Sequence, residues 1–148
     1  MKIKIMLDEG AKMPTRAHET DAGLDLYTPI DVEVSRCRWI PTEGLIVGSA
    51  VIDTGVHIEI PKGYVGFVKS KSGLNVKHGL TAEGVIDAGY TGSIVVKLYN
   101  HTSKDYTFKA GEKIAQLVLL PIITPELVEV DSLEETERGN GGFGSTGR

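Results

Sequence analysis

The chain has 148 residues, 41% of them hydrophobic and 24% charged, with a formal net charge of −4. This size and composition predict one globular domain and exclude a disordered or membrane-embedded protein, and the negative charge argues against a binder of duplex DNA. The single cysteine, Cys37, cannot form an internal disulfide and favours the reducing cytoplasm.

Short segments in which apolar and polar residues alternate recur along the chain, and each is a candidate β-strand. These segments span residues 3–7, 24–26, 32–34, 56–60, 94–98 and 127–130. Turn signals rich in glycine and proline separate them, which predicts an all-β sandwich or barrel. The longest apolar stretch, residues 114–123, is too short to cross a bilayer.

One short helix is expected over residues 72–78. Ser72 is a favourable N-cap residue and Gly79 a favourable stop signal. The free amides at such a helix start form a natural anion site, although an ordinary cap in a connecting turn would look the same.

The C-terminal end differs in composition from the rest of the chain. Residues 131–138 are acidic, and residues 139–148 read GNGGFGSTGR, in which five of ten residues are glycine. We therefore expect a β domain over residues 1–130, followed by an acidic linker and a glycine-rich lid over residues 131–148. The glycine amides of this lid and the hydroxyls of Ser145 and Thr146 could bind phosphate. A P-loop is excluded, because Ser145 stands where its lysine belongs.

Two carboxylates stand beside apolar runs. Asp25 lies between two leucines of a predicted strand, so alternation turns it away from the apolar face and predicts exposure to solvent. Asp87 follows an apolar run and could be a turn residue. The four histidines show no metal-ligand spacing, and no pair of cysteines exists for zinc.

Five short motifs follow one another along most of the chain. They read AGLDL at 22–26, KSGL at 71–74 with KHGL at 77–80, GVIDAGYTG at 84–92, GEKIAQL at 111–117 and RGNGGFGSTG at 138–147. In this order they resemble the motifs of the homotrimeric deoxyuridine triphosphatase (dUTPase) family. The resemblance implies a jelly-roll-like β-barrel or sandwich with one short helix and a flexible glycine-rich tail. It also implies a homotrimer with shared active sites and no membrane or nucleic-acid partner.

The same resemblance implies hydrolysis of dUTP to dUMP and pyrophosphate with Mg²⁺, which limits uracil in DNA and supplies dUMP for dTTP synthesis. Asp87 would be the general base on the water that attacks the α-phosphorus. Asp25 and Gln116 would contact Mg²⁺ through water. Phosphate contacts are implied for Lys71, Ser72, Gly73, Gln116, Arg138, Gly144, Ser145 and Thr146. Uracil and deoxyribose contacts are implied for Thr81, Gly84, Ile86, Tyr90, Val95 and Phe143.

The chain departs from the family pattern at several positions. Lys71 replaces a usual arginine, which gives a point charge in place of a bidentate fork. Gly89 replaces an acidic residue, and Thr91 replaces a common arginine. The stretch 36–49, with the only tryptophan, Trp39, is longer than a typical family loop and receives no role.

Two alternatives remain from the sequence. The deoxycytidine triphosphate deaminases share this fold and resemble residues 86–100, but Lys97 stands where they carry an essential glutamate. A cationic lysine cannot activate water as that carboxylate does, so no deamination is expected. The other alternative is a non-catalytic jelly roll, either a regulatory dUTP-binding protein or a capsid-like module. Such a protein need not keep Asp87 and the glycine-rich tail together.

Overall fold

The computed structural model describes residues 2–142 of the chain and is almost entirely β-structure. Within that range it contains eleven strands and one helix. The elements are β1 Lys4–Leu7, β2 Gly23–Tyr27, β3 Val32–Val34, β4 Arg38–Ile40, β5 Gly44–Ile46, β6 Gly48–Glu59, β7 Tyr64–Lys69, α1 Ser72–His78, β8 Leu80–Ile86, β9 Ser93–Asn100, β10 Tyr106–Phe108 and β11 Lys113–Pro121.

Seven of these strands form one antiparallel sheet in the order β1-β6-β9-β8-β7-β11-β2. Strand β8 is the point at which this sheet divides. Residues 80–82 of β8 pair with β9, whereas its residues 83–86 pair with β7. The two halves of the sheet enclose one core, to which β2, β6, β7, β8, β9 and β11 all contribute buried side chains. The result is a jelly-roll-like β fold.

Period-two alternation places the core side chains on one face of each strand. In β9, Ile94, Val96 and Leu98 are buried, and the residues between them are exposed. Each apolar side chain that is fully buried in this way contributes about 1.5–3 kcal/mol. The alternation that predicts the strands therefore also predicts which residues of β9 face the core and which face solvent.

The segments predicted at 3–7, 24–26, 32–34, 56–60 and 94–98 all coincide with strands, except that residues 3 and 60 each lie one residue outside. Helix α1 spans residues 72–78 as predicted, and Gly79 ends it in the left-handed region with φ 60°. The cap prediction was wrong. Lys71 is the N-cap residue, since its carbonyl accepts the first helical hydrogen bond from the Asn75 amide at 2.9 Å. Ser72 is thus the first helical residue.

The strand predicted at residues 127–130 is absent from the described part of the chain, where residues 122–142 form neither helix nor strand. Ile123, Leu127 and Leu133 are 92%, 91% and 86% exposed. A strand needs a partner edge, and this segment pairs with none among residues 2–142. Within residues 2–142, no helix combines the length and apolar character required to traverse a membrane. The domain boundary at residue 130 stays a prediction.

Candidate active site

The first part of the site lies where β2 and β11 run side by side. Their register places Asp25 opposite Gln116. Asp25 is only 6% exposed, so the expectation that it faces solvent was wrong. Its amide donates to the Thr15 carbonyl at 2.7 Å, because the segment before β2 runs along the free edge of that strand. Alternation could not show this covering segment.

Two lysines neutralise the buried Asp25 carboxylate. Lys71 forms an ion pair with one of its oxygens, and the Lys113 ammonium lies 2.6 Å from the other. Burial opposes ionisation of the carboxyl, but the hydrogen bonds from Lys113 and Lys71 outweigh it, so the pKa of Asp25 lies below its usual value. The hydrogen bond to Asp25 in turn raises the pKa of Lys113. The cluster therefore keeps one anion and two cations at neutral pH.

Gln116 is fixed beside this cluster. Its side-chain amide donates to the Ser70 carbonyl at 3.0 Å, which leaves the amide oxygen as an acceptor. The side chain lies over Gly23, where an added Cβ would stand 2.0 Å from that oxygen. The glycine of the first motif therefore makes room for the glutamine of the fourth.

A cleft of about 480 Å³ opens next to this cluster. Its walls are Lys12, Tyr27, Lys71, Gly73, Leu74, Lys77, His78, Tyr106, Phe108, Gly111, Glu112 and Lys113. Four lysines outnumber Glu112 and the adjacent Asp25 that two of them pair with, so the cleft keeps a positive potential that suits a phosphate group. The structure thus brings the predicted Lys71 and Gly73 together with Lys12, Lys77 and Lys113, to which the sequence analysis gave no role. We call this the phosphate-side cleft.

The second part of the site lies where β8 and β9 diverge. Their paired residues end at Ala82–Leu98, because β8 turns toward β7 beyond that point. A cleft of about 230 Å³ occupies the gap, lined by Val85, Ile86, Asp87, Tyr90, Ser93 and Val95. Four of these six residues were predicted from the resemblance, whereas Val85 and Ser93 were not. We call this the hairpin cleft.

The β8–β9 turn, residues 87–92, closes one end of the hairpin cleft. The Tyr90 amide donates to the Asp87 carbonyl at 3.2 Å, and Gly89 has φ 91°. A positive φ favours glycine, so Gly89 suits this turn at the position where the family pattern has an acidic residue. The Tyr90 hydroxyl donates to the Ser93 carbonyl at 3.0 Å. The exposed Asp87 carboxylate therefore stands on a turn held by hydrogen bonds.

Two predicted contact residues lie away from both clefts. Thr81 bonds the His101 ring at 2.8 Å, and the five residues from Thr81 to Ile86 span ~16 Å of strand. Arg138 is exposed and donates to the Gly141 carbonyl at 3.0 Å. The predictions for Phe143, Gly144, Ser145 and Thr146 fall outside the described residues.

The two clefts share no lining residue and lie at opposite ends of β7. Ile86 pairs with Gly66, whereas Gln116 pairs with Lys69. The three residues from Gly66 to Lys69 span ~10 Å, and the chain continues outward to Asp87 at one end and to Lys71 at the other. Within one chain, the distance from Asp87 to the phosphate-side cleft is therefore longer than a hydrogen bond or a bridging water can span.

Comparisons with known proteins agree on one family. The dUTPase family model matches residues 9–147. The deoxyuridine 5′-triphosphate nucleotidohydrolase of Clostridium tetani is 41% identical over 151 residues, covering 100% of this chain and 97% of that protein. The Arabidopsis thaliana enzyme of the same name is 44% identical over 147 residues, covering 99% and 82%.

Solved structures point the same way. A mutant dUTPase of Staphylococcus bacteriophage 80alpha, solved with dUpNHpp, superposes with a TM-score of 0.86 at 33% identity, covering 99% of each chain. A mutant dUTPase from phage phi11 of S. aureus, described with a structural Mg(II) ion, has a TM-score of 0.77 at 32% identity and covers 91% of this chain and 100% of its own.

Proposed function

The chain belongs to the dUTPase family, and we propose that it hydrolyses dUTP to dUMP and pyrophosphate by water attack on the α-phosphorus, at sites built from neighbouring copies of the chain. The observation that carries this proposal is the hairpin cleft, where Asp87 and Tyr90 line one gap between diverging strands. The Asp87 carboxylate, the flat ring of Tyr90 and the backbone edges of β8 and β9 that do not pair with each other all border this cleft.

The hairpin cleft suits a pyrimidine deoxynucleoside. Between residues 83–86 and 93–96, β8 and β9 no longer pair with each other, so backbone groups near Gly84 and Val95 can read the edge of uracil. The Tyr90 ring, 46% exposed, offers a face to the deoxyribose and would exclude a 2′-hydroxyl. Ile86 supplies apolar contact. This assignment leaves Thr81 outside the uracil contacts made by the same chain.

Asp87 is the proposed general base. Its carboxylate is exposed on the turn at the rim of the cleft, where it can reach a water molecule beside the α-phosphorus. A carboxylate that accepts a proton from the attacking water typically contributes 10²–10⁴-fold to a rate. The bond that forms joins the water oxygen to the α-phosphorus, and the bond that breaks releases pyrophosphate.

The phosphate-side cleft is proposed to hold the triphosphate. Lys71, Ser72 and the Gly73 amide would bind phosphate oxygens at the start of α1, and Gln116 would add a further hydrogen bond. Because two lysines already flank Asp25, the cation count exceeds the anion count there, and an incoming phosphate would be attracted.

The residues present fit Mg²⁺ held through water. Within residues 2–142, no three histidine, cysteine, aspartate or glutamate side chains cluster as a metal cage. Asp25 and Gln116 are nevertheless opposite each other in the register of β2 and β11, so their side chains share one face of the sheet. Each Asp25 oxygen that bonds a lysine keeps a second acceptor site for water. Mg²⁺ prefers oxygen ligands and retains several waters beside substrate phosphates. When bound, it would neutralise phosphate charge.

The separation of the two clefts supports a shared site. The α-phosphorus must lie near Asp87 while its phosphate chain lies near Gln116, and one chain does not place them that close together. A second copy that docks its hairpin cleft against the phosphate-side cleft of the first would join the two halves. We propose the symmetric trimer of the resemblance as the assembly that does this, with three equivalent sites.

Residues 139–148 are proposed to complete a neighbouring site as a lid. Phe143 would stack on uracil, and Arg138, Gly144, Ser145 and Thr146 would bind the phosphates. Removing residues 139–148 should lower kcat/KM for dUTP by roughly 10²-fold, because an unconfined triphosphate loses its orientation. The measurement is steady-state pyrophosphate release, with sedimentation to check that assembly is unchanged. An unaltered rate in an intact assembly would remove the lid from the mechanism.

Deamination is the competing reaction, and Lys97 bears on it. Lys97 lies on the exposed face of β9, with its ammonium 5.0 Å from the centre of the Tyr99 ring. It is a cation that faces solvent and cannot activate water. The position that carries the essential glutamate in the deaminases is therefore filled here by a residue of the wrong charge.

One assay separates the candidate functions. Pyrophosphate and ammonia are measured with dUTP, dCTP, dTTP and UTP, each with and without Mg²⁺. We expect pyrophosphate from dUTP alone, faster with Mg²⁺, and no ammonia from dCTP. Ammonia release would favour the deaminase, and dUTP binding without pyrophosphate would favour a regulatory protein. In the cytoplasm, where we place this protein, the reaction would keep uracil out of DNA and supply dUMP for dTTP synthesis.

A further inference from the structure

Strand β6 carries a bulge beside the β8–β9 turn. The pairing of β6 with β9 shifts register between Asp53 and His57, and Gly55 between them has φ 64°. The extra residues bend the strand and redirect its side chains. As a result Asp53 and His57 both reach the turn that carries the proposed general base.

His57 contacts that turn through a backbone carbonyl. Its Nδ1 lies 2.8 Å from the Thr91 carbonyl oxygen, and its Nε2 lies 3.2 Å from both carboxylate oxygens of Asp8. A carbonyl and an ionised carboxylate can only accept hydrogen bonds. A neutral imidazole carries one N–H, whereas an imidazolium carries two. The geometry is therefore satisfied only by the protonated ring.

Asp53 holds the start of β9, directly after the same turn. Its carboxylate accepts hydrogen bonds from the Ser93 hydroxyl and from the Gly55 amide, the latter at 3.0 Å. The carbonyl of Ser93 in turn accepts from the Tyr90 hydroxyl at 3.0 Å. Ser93 and Tyr90 both line the hairpin cleft. The turn is thus fixed at Thr91 by a cation and at Ser93 by an anion.

We propose that protonated His57 is a positioning residue for hydrolysis, which holds the Thr91 end of the β8–β9 turn so that Asp87 and Tyr90 keep their reactive placement. This inference rests on the proposed function, because it assigns a role to His57 in the same reaction. Loss of the ring proton would break one of its two hydrogen bonds and loosen the turn. Hydrolysis should therefore slow as pH rises through the titration of His57.

The charges around His57 support its protonated form. Asp8 from the end of β1 and Asp53 from β6 are the anions nearest to it, while Lys4 and Glu59 line the adjoining cleft and neutralise each other at 2.9 Å. The hydrogen bond to Thr91, followed by that to Asp8, raises the pKa of His57 above 6.5. A raised pKa means that the tether is favoured at acidic pH and is lost as pH rises through the folded-state pKa, above the usual histidine range.

The first test compares His57→Arg and His57→Ala with the natural chain. Arginine keeps its charge at every working pH, and the cleft of about 220 Å³ beside His57 leaves room for it. The natural enzyme should show a falling alkaline limb in kcat, which His57→Arg should lose while keeping the rate. At pH values below the titration of His57, His57→Ala should be slower by roughly tenfold, less than the ~10² cost of a 1 Å misplacement. This difference should shrink as pH rises, because the natural enzyme then loses the same tether.

The second test keeps the inference falsifiable if His57→Arg does not fold. The titration of His57 is followed by NMR of its ring C–H in the full assembly, for the natural chain and for Asp8→Asn. Removing the carboxylate should lower the pKa of His57 and move the alkaline limb of kcat to lower pH by the same amount. His18→Gln is the matched control, since His18 lies outside both clefts, and it should leave the profile unchanged.

The outcomes separate this inference from the function on which it rests. An enzyme that releases no pyrophosphate from dUTP contradicts the proposed function, whatever the NMR titration shows. An active enzyme whose alkaline limb is the same in the natural chain, His57→Arg and Asp8→Asn contradicts the positioning role alone.

Discussion

Replacing Asp87 with asparagine should lower kcat for dUTP by roughly 10²–10⁴-fold, the usual contribution of a general base. Asparagine has nearly the same shape but cannot accept the proton of the attacking water at neutral pH. Nucleotide binding should persist, because the cleft walls and the phosphate-side lysines are unchanged. The measurement pairs steady-state pyrophosphate release with calorimetric titration of dUpNHpp.

Glu83 provides the matched control for that experiment. It is an exposed carboxylate on β8, the strand that leads into the turn with Asp87, and its partner is Lys69, 2.5 Å away. A surface ion pair of this kind contributes little, so Glu83→Gln should keep full turnover. Normal turnover by Asp87→Asn, with Glu83→Gln equally active, would show that another group activates the water.

Two inactive variants should restore activity when they are assembled together. Asp87→Asn disables the hairpin cleft, and the double variant Lys71→Ala/Gln116→Ala disables the phosphate-side cleft. If each site combines these clefts from different copies, each cleft of a site is intact in about half of the cases in an equal, random mixture. About a quarter of the sites should therefore have both clefts intact. The variants are unfolded, mixed and refolded together, and the rate is compared with that of each variant refolded alone.

A second mixture tests whether the restoration has the proposed cause. Asp87→Asn and Tyr90→Ala lie on the same turn. Each site takes this turn from one chain, and every chain in the mixture carries one of the two substitutions, so every site contains a defect. This mixture should show no restoration. If the chains exchange but neither mixture is more active than the separate variants, each chain must carry a complete site.

The site could be predicted in part from sequence because its residues come in short contiguous motifs. The run GVIDAGYTG at 84–92 contains a strand end, a turn and four of the six residues that line the hairpin cleft. Local chemistry suffices there, since Gly89 needs its positive φ and Asp87 follows an apolar strand. The bulge that brings His57 to Thr91 joins residues 34 positions apart, and no local pattern indicates it.

Burial was the property that sequence alternation could not assign. Asp25 alternates like an exposed residue, yet it is buried because the segment around Thr15 and two distant lysines cover it. Lys113 lies inside a recognised motif, but its role follows only from the pairing of β11 with β2. The exposed segment 122–140 illustrates the reverse case, because the strand predicted at 127–130 finds no partner edge in the described part of the chain.

The sequence by itself determined the all-β class, the limits of helix α1 and the family, because alternation, helix-stop chemistry and ordered motifs are local or linear properties. Tertiary structure alone decided which motifs meet. It placed Asp25, Lys71 and Gln116 at one end of β7 and Asp87 with Tyr90 at the other. That separation arises because β8 runs antiparallel to β7, so the end of β8 lies beside the start of β7, and no local sequence pattern specifies this pairing.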